Sequence, residues 1–312
     1  MPRPGFQLRQ FHNQAETSPL HRHLVAMWTG VEHESDGQVT AHVFPENNRI
    51  SGSDPAALRM LMSGEIDFFT LMGGLLAPVV PLADFQSVPF AFRDADQALA
   101  VSDGALGGLL KQAMAAKGLY GLELMTFDNG MRQIGTRSRP IRELADLKDV
   151  TIRVPDGAAF VDTFRALGAK PVAVNVNGIF AALQDGRVDA QENALAVMEV
   201  FRLDRAQRYI AMTNHMWSGF NLIANLASWQ TLPAAIQALI ERRAASTIRA
   251  QRIEQATFNA TVRATFEARG LVFTQIDQVP FRHALAPVYE RWREKLGEEA
   301  WELLEDEVGA LR

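Results

Sequence analysis

The chain has 312 residues, no cysteine, and 31 lysines and arginines against 36 aspartates and glutamates, a formal net charge of −5. That length allows two domains with sizeable cores, and 47% hydrophobic with 21% charged residues excludes long disorder and fibrous repeats. The mild acidity argues against partners held by clustered cations, nucleic acid or an anionic membrane surface, so any anion must be met locally; without cysteine there are no disulfides, zinc–thiolate sites or thiol nucleophiles.

Gln7 to His12 alternates as a strand. Ser18-Pro19 then supplies a cap and a proline for the first helical position, and Leu20, Leu24, Trp28 and Val31 recur at helical spacing until Asp36-Gly37 stops the helix. Val39, Ala41 and Val43 alternate again, Asp54-Pro55 opens a second helix through Leu58, Leu61 and Met62, Gly64 closes it, and Ile66 to Leu71 reads as a buried strand. The same order returns as strand Thr151–Val154, helix Ala158–Leu167, strand Pro171–Val174, helix Ile179–Gln184 and strand Val188–Gln191. Strands separated by helix-length segments imply parallel sheets covered by helices, here two βαβαβ lobes. From Pro233 to Gly270 there is neither proline nor glycine in between, with an irregular apolar stripe. Two readings stand: one helix long enough to brace both lobes, or two helices broken near Arg249 to Gln255. Tyr289, Trp292, Leu296, Trp301 and Leu304 suggest further amphipathic helices. No window reaches about 18 uninterrupted apolar residues, so no membrane span is expected. Met1-Pro2-Arg3-Pro4-Gly5 lacks an apolar run of signal length, which leaves a cytosolic protein or one whose leader was removed.

Signatures of serine hydrolases, zinc proteases, phosphate-binding loops, dinucleotide folds and calcium loops are missing. His21 and His23, with His12 and His33 nearby, are too closely spaced for the i, i+4 pair of a helical metal site and read as a solvated face. Asp94 and Asp96 read as helix caps. Arg153 stands out by position: it ends a strand just before Pro155, where open α/β sheets bind ligands, and its planar fork matches a carboxylate. An internal salt bridge to Asp189 or Asp156 is the equal alternative. Arg132 follows the turn signal Asn129-Gly130 and on its own reads as a surface arginine. Gln191-Glu192-Asn193 closes the last strand of the second lobe, where amides both donate and accept, though a strand-end turn fits the tripeptide equally well.

The runs Thr151-Ile152-Arg153-Val154-Pro155, Phe164 to Pro171 and Ala182 to Asn193, with Gly64-Glu65-Ile66-Asp67, Val88 to Phe92, Asn129 to Gln133 and Met212-Thr213-Asn214-His215, resemble the solute-binding proteins of tripartite ATP-independent periplasmic (TRAP) transporters over nearly the whole chain. The resemblance implies a two-lobed α/β fold of the periplasmic-binding-protein type (type II): two mixed sheets flanked by helices, a ligand cleft between the lobes and a long helix bracing both. Lobe 1 is expected at 1–128 plus 216–257 and lobe 2 at 129–215 plus 258–312, with hinges near Asn129 and His215. It further implies a monomeric periplasmic receptor, its signal peptide removed, that closes on a small organic carboxylate and hands it to the membrane permease subunits. No catalytic step, cofactor or metal is expected; a receptor reporting to a signalling kinase is the alternative, and an enzyme on the same scaffold the third reading.

By the same resemblance Arg153 binds the ligand carboxylate, Arg132 and Asn193 assist, Asn13 and Asn214 join the site, and Met72, Leu75, Val176, Phe68 and Trp217 supply apolar walls. Three positions depart from the family pattern. Ala194 stands where many members have proline, Val176 where a ring is common, and Met72 and Leu75 where some sugar-acid binders place a glutamate and an arginine. A compact or partly apolar monocarboxylate is therefore expected rather than a polyhydroxylated sugar acid.

Overall fold

The computed structural model describes residues 5–311; residues 1–4, on which the leader question turns, lie outside them. The described residues form strands β1 (Phe6–His12), β2 (Val39–Phe44), β3 (Phe68–Met72), β4 (Leu119–Thr136), β5 (Thr151–Val154), β6 (Lys170–Ala173), β7 (Ala190–Ala194), β8 (Tyr209–Met212), β9 (Trp217–Asn225) and β10 (Val272–Gln275). They line up as β2-β1-β3-β9-β4-β7-β5-β6, with β8 on the other edge of β4 and β10 beyond it. The pairs β1–β2, β1–β3, β5–β6 and β5–β7 are parallel, each crossing over a helix, whereas β9 and β4 run antiparallel to their neighbours. The fold is thus mixed α/β with two halves, as expected, but the two sheets are not separate. They share β4, whose first part pairs with β9 and whose last residues, Arg132–Thr136, pair with β7.

Asn129-Gly130 corrects the turn expected there. The chain does not reverse; the register slips between Asp128 and Gly130, a β-bulge within β4. Gly130 sits at φ 95°, and a Cβ on it would lie 2.4 Å from the Asn259 Nδ2, so only glycine fits. Gln251 replaces the broken ladder: the Asp128 amide donates to its Oε1 at 3.0 Å and its Nε2 donates to the Asp128 carbonyl at 2.7 Å.

Gln251 belongs to one uninterrupted helix of 35 residues, Ala234–Ala268, about 52 Å long at 1.5 Å per residue. The break near Arg249 to Gln255 is not there. The apolar stripe is irregular because Gln251 and Gln255 are buried against strand backbone, while Ile236, Leu239, Ile240 and Ile248 join the larger core and Val262 and Phe266 the smaller core of the second half. Ser18 caps helix Pro19–Glu34 as read, and Asp94 caps Ala95–Asp103. Asp54 does not open its helix; Gly52 occupies the cap of Ser53–Ser63, and Asp54 is turned inward and buried.

The C-terminal helices Ala286–Leu296 and Glu298–Val308 lie beside the first half, although 258–312 was expected with the second. The Tyr289 hydroxyl donates to the Pro89 carbonyl at 2.9 Å, Gln97 Nε2 to the Glu307 carbonyl at 2.9 Å, and Lys295 Nζ meets Asp84 Oδ2 at 2.6 Å. Burial pushes the Asp84 carboxyl up to about 6 against the pull of Lys295. The folded state therefore holds a proton that the unfolded chain has already released, and stability falls as pH rises from about 4 through about 6. Denaturant titrations of wild type and Asp84→Asn across that window are expected to diverge by on the order of 3 kcal/mol, the wild type alone losing stability; parallel curves would exclude this origin.

Candidate functional site

The carboxyl ends of β1, β3, β5 and β6 converge with β4, β7 and β9 around a cavity of about 330 Å³. Asn13, Met72 and Leu75 border it from the first half, Arg153, Val176 and Asn193 from the second, and Asn129 and Arg132 from the shared strand. Topology explains the convergence, because the crossovers of parallel strands leave their carboxyl edges open as crevices.

Arg153 is 2% exposed. Its Nε donates to the Val174 carbonyl at 2.7 Å, which fixes the fork, and its Nη1 is buried with no hydrogen-bond partner among the described residues. Neither aspartate weighed as a salt-bridge partner pairs with it: Asp189 Oδ2 accepts from the Thr151 amide at 3.1 Å, and Asp156 is exposed. Burial first, then the neighbouring Arg132, pull the Arg153 guanidinium down to about 9, against the pull of Glu192 and Asp54. It stays charged at neutral pH, a buried cation that borders the cavity and has no carboxylate within ion-pair distance among the described residues.

Arg132 is far from the surface arginine its sequence context suggests. It is 1% exposed, and its fork closes on Glu192, Nε to Oε2 at 2.5 Å and Nη2 to Oε1 at 2.7 Å. Nη1 alone turns toward the cavity wall, 3.4 Å from the Ser218 hydroxyl, and the Phe160 ring lies 5.1 Å from the guanidinium carbon. His215 Nε2 is 3.1 Å from the same Glu192 Oε2, and its Nδ1 is 2.7 Å from the Thr213 hydroxyl. A carboxylate only accepts, so Nε2 carries the proton and Nδ1 accepts from threonine. Burial opposes ionisation of Glu192, but Arg132 and His215 hold its carboxyl below the usual range; burial likewise lowers His215, which stays neutral.

A second buried carboxylate borders the cavity. Asp54 Oδ1 accepts from Asn47 Nδ2 at 2.7 Å, and Oδ2 from Asn175 Nδ2 at 2.8 Å and Asn13 Nδ2 at 3.2 Å. Asn175 comes from the second half, so this cluster ties the two halves across the cavity. Burial raises the Asp54 carboxyl; the three amides and Arg153 restrain the rise. Asp54 was read as a helix start, and Asn175 was not singled out; no local pattern marks an aspartate whose partners lie 7, 41 and 121 residues away.

Three expected site residues stand elsewhere. Phe68 is four residues down β3 from Met72, edge-on to Trp28 at 4.9 Å and Trp229 at 6.3 Å, in the core. Trp217 donates its Nε1 to Asp128 Oδ1 at 2.9 Å and packs on Phe92, on the face of β9 turned from the cavity. The strand's period of two puts Ser218 and Phe220 on the cavity side instead. Asn214 sits at φ 45° in the link between β8 and β9, its Oδ1 accepting from Gln133 Nε2 and its amide donating to Gln133 Oε1 at 3.0 Å; it shapes the crossing. Among the described residues no group of three histidines, cysteines or carboxylates is placed to hold a metal, and no helix is long and apolar enough to cross a membrane.

Two half-sheets joined through one strand, a long helix lying across the joint and a polar cavity at the facing strand ends define a two-lobed solute-binding protein. The chain belongs to the DctP family, bacterial extracellular solute-binding proteins of family 7, whose model matches residues 11–295. It is 30% identical over 264 residues to a solute-binding protein of Roseobacter denitrificans, covering 84% of this chain and 80% of that one. Among solved structures it resembles a TRAP periplasmic solute-binding protein of the same organism with bound β-D-glucuronate, at a TM-score of 0.91 and 25% identity over 98% of this chain and 100% of that one. Another, from Polaromonas with bound D-erythronate, matches at 0.90 and 26% identity over 98% and 99% of the two chains.

Proposed function

We propose that this chain is a periplasmic receptor that binds a small organic monocarboxylate between its halves and delivers it to the permease of a TRAP transporter. The guanidinium of Arg153 carries the reading: it lines the cavity, is held through Nε and has a buried Nη1 without a partner among the described residues, which suits a carboxylate. Asn193, whose Oδ1 accepts from the Ala194 amide at 3.3 Å, keeps its amide nitrogen for the same group. Arg132 contributes at most Nη1. Asp54, held by Asn175 next to the Val174 carbonyl that fixes Arg153, disfavours a second carboxylate but can accept from a ligand hydroxyl, and Met72, Leu75, Val176 and Phe220 add apolar wall. Asn13, Asp54, Asn129, Arg153 and Asn193 set polar groups among apolar walls, an arrangement that suits a compact hydroxy acid. The glucuronate and erythronate bound by the related proteins agree with such chemistry.

The thermal-shift response to D-erythronate, D-glucuronate and succinate at equal ionic strength tests this. The monocarboxylates are expected to raise the melting temperature and succinate to do so least; the largest shift from succinate would contradict the assignment.

Closure is read as bending at the Gly130 bulge and at the Asn214 link. The halves meet where Gly74 faces Phe160: a Cβ on Gly74 would come within 2.8 Å of the Phe160 ring. Gly74→Val is therefore expected to weaken affinity for the responding acid about tenfold or more by holding the halves apart, with the ligand-induced decrease in radius of gyration lost in small-angle scattering. Full compaction in that variant would remove the seam from the closing motion.

A further inference from the structure

The far edge of the second half, at the carboxyl end of β4 and the amino ends of β7 and β8, holds another concavity of about 560 Å³. Arg137, Arg205 and Arg208 line it together with Ser138, Gln184 and Asp189. Several exposed arginines of this acidic chain find carboxylates, as Arg22 does with Glu254, Arg93 with Asp94 and Arg293 with Glu298, whereas Arg59, Arg249 and Arg291 are exposed without one among the described residues. Arg137, Arg205 and Arg208 likewise have none among the described residues, and they share one concavity. Asp189 Oδ2 is engaged by the Thr151 amide, Asp204 by Arg269 and Arg202, and Asp149 by Lys170; Asp185 in the adjoining turn is exposed. Arg139, Arg142 and Arg187, exposed and close in sequence to Arg137, Ser138 or Gln184, have no carboxylate partner among the described residues either.

The cluster is built on fixed backbone. The Arg137 amide donates to the Asp189 carbonyl at 3.1 Å, the Arg208 amide to the Thr136 carbonyl at 2.9 Å and the Arg205 amide to the Arg202 carbonyl at 3.2 Å. Arg137 Nη1 lies over Gly186, 2.9 Å from where a Cβ would stand, with Gly186 at φ 70°, so the guanidinium occupies space that any other residue would fill. Three cations against the single Asp189 carboxylate leave an excess of positive charge around one concavity, which a bound anion would relieve.

We propose that this concavity is a second anion site, separate from the ligand cavity, for a phosphate-type oxyanion. Such a group offers enough acceptor oxygens for three guanidinium forks, the Ser138 hydroxyl and the Gln184 amide. The oxyanion is free phosphate or the headgroup of an anionic phospholipid. The test titrates the full chain with inorganic phosphate by calorimetry at constant ionic strength, and floats it with vesicles of phosphatidylcholine alone or with phosphatidylglycerol. Wild type is expected to bind phosphate, or only the phosphatidylglycerol vesicles if the source is lipid. Arg205→Gln/Arg208→Gln, exposed positions whose loss leaves the melting transition intact, is expected to weaken that binding about tenfold or more, while Arg153→Ala leaves it unchanged. Wild type binding neither probe, the double variant binding as wild type does, or loss confined to Arg153→Ala would each overturn the site.

Discussion

Arg153→Ala is expected to weaken binding of the acid giving the largest thermal shift by about 30- to 5,000-fold, the range for losing one partner of a buried charged hydrogen bond. Calorimetry reads the loss directly. The same position should behave in the opposite sense without ligand. An arginine 2% exposed, with Nη1 unpartnered and its guanidinium drawn down to about 9 by burial, costs the folded state more than it contributes. Arg153→Met, which keeps the volume and removes the charge, should therefore raise the stability of the ligand-free protein by on the order of 1 kcal/mol or more while abolishing the response to carboxylates. An arginine serving an internal salt bridge would show the reverse, losing stability and leaving binding alone. Arg153→Lys separates charge from geometry. It keeps a cation but forfeits both the fork and the Nε bond to the Val174 carbonyl, so an intermediate affinity is expected.

That opposition between stability and binding bears on what the sequence could reveal. Strand Thr151–Val154 and helix Ile179–Gln184 were legible to the residue, and Ser18 and Asp94 as caps, because caps and periodicity act over a few neighbouring residues. Arg153 was legible as a candidate by its place at a strand end, but its lack of a carboxylate partner is a long-range fact. Trp217 was misplaced by one step of strand alternation, and nothing local tells which face of a strand buried on both sides meets the ligand; every residue of β9 is buried. The Asn129-Gly130 signal was real, since Gly130 does need positive φ. A bulge braced by a glutamine 123 residues away and a reverse turn place the same demand on the local sequence. Glu192 lies inside a tripeptide whose flanking amides, Gln191 and Asn193, suit a ligand equally well by sequence, and only the fold shows that its carboxylate decides what Arg132 can do.

Glu192→Ala should accordingly be the most destabilising single change in the site. It strands Arg132 beside Arg153, two buried cations without an anion between them, and leaves the His215 Nε2 hydrogen without its acceptor. Breaking a buried pair from one side costs about 3–5 kcal/mol, a fall in melting temperature of roughly 10 °C for a chain of this size. Arg132→Met/Glu192→Met, which removes both charges, is expected to recover most of that loss, the non-additivity that marks a direct pair. Glu192→Gln probes function rather than stability. Side-chain shape is kept, but the charge that holds the Arg132 fork is gone and one acceptor oxygen remains where there were two; Nη2 keeps its bond to the backbone carbonyl of residue 192 at 3.0 Å, while the loosened fork can offer Nε to whatever occupies the cavity. Succinate should then gain on D-erythronate in relative affinity, because a second carboxylate would find a cation where wild type presents an ion pair already satisfied. An unchanged ratio of the two affinities would mean that Arg132 stays turned to the strand without its partner, and that Glu192 serves the fold alone.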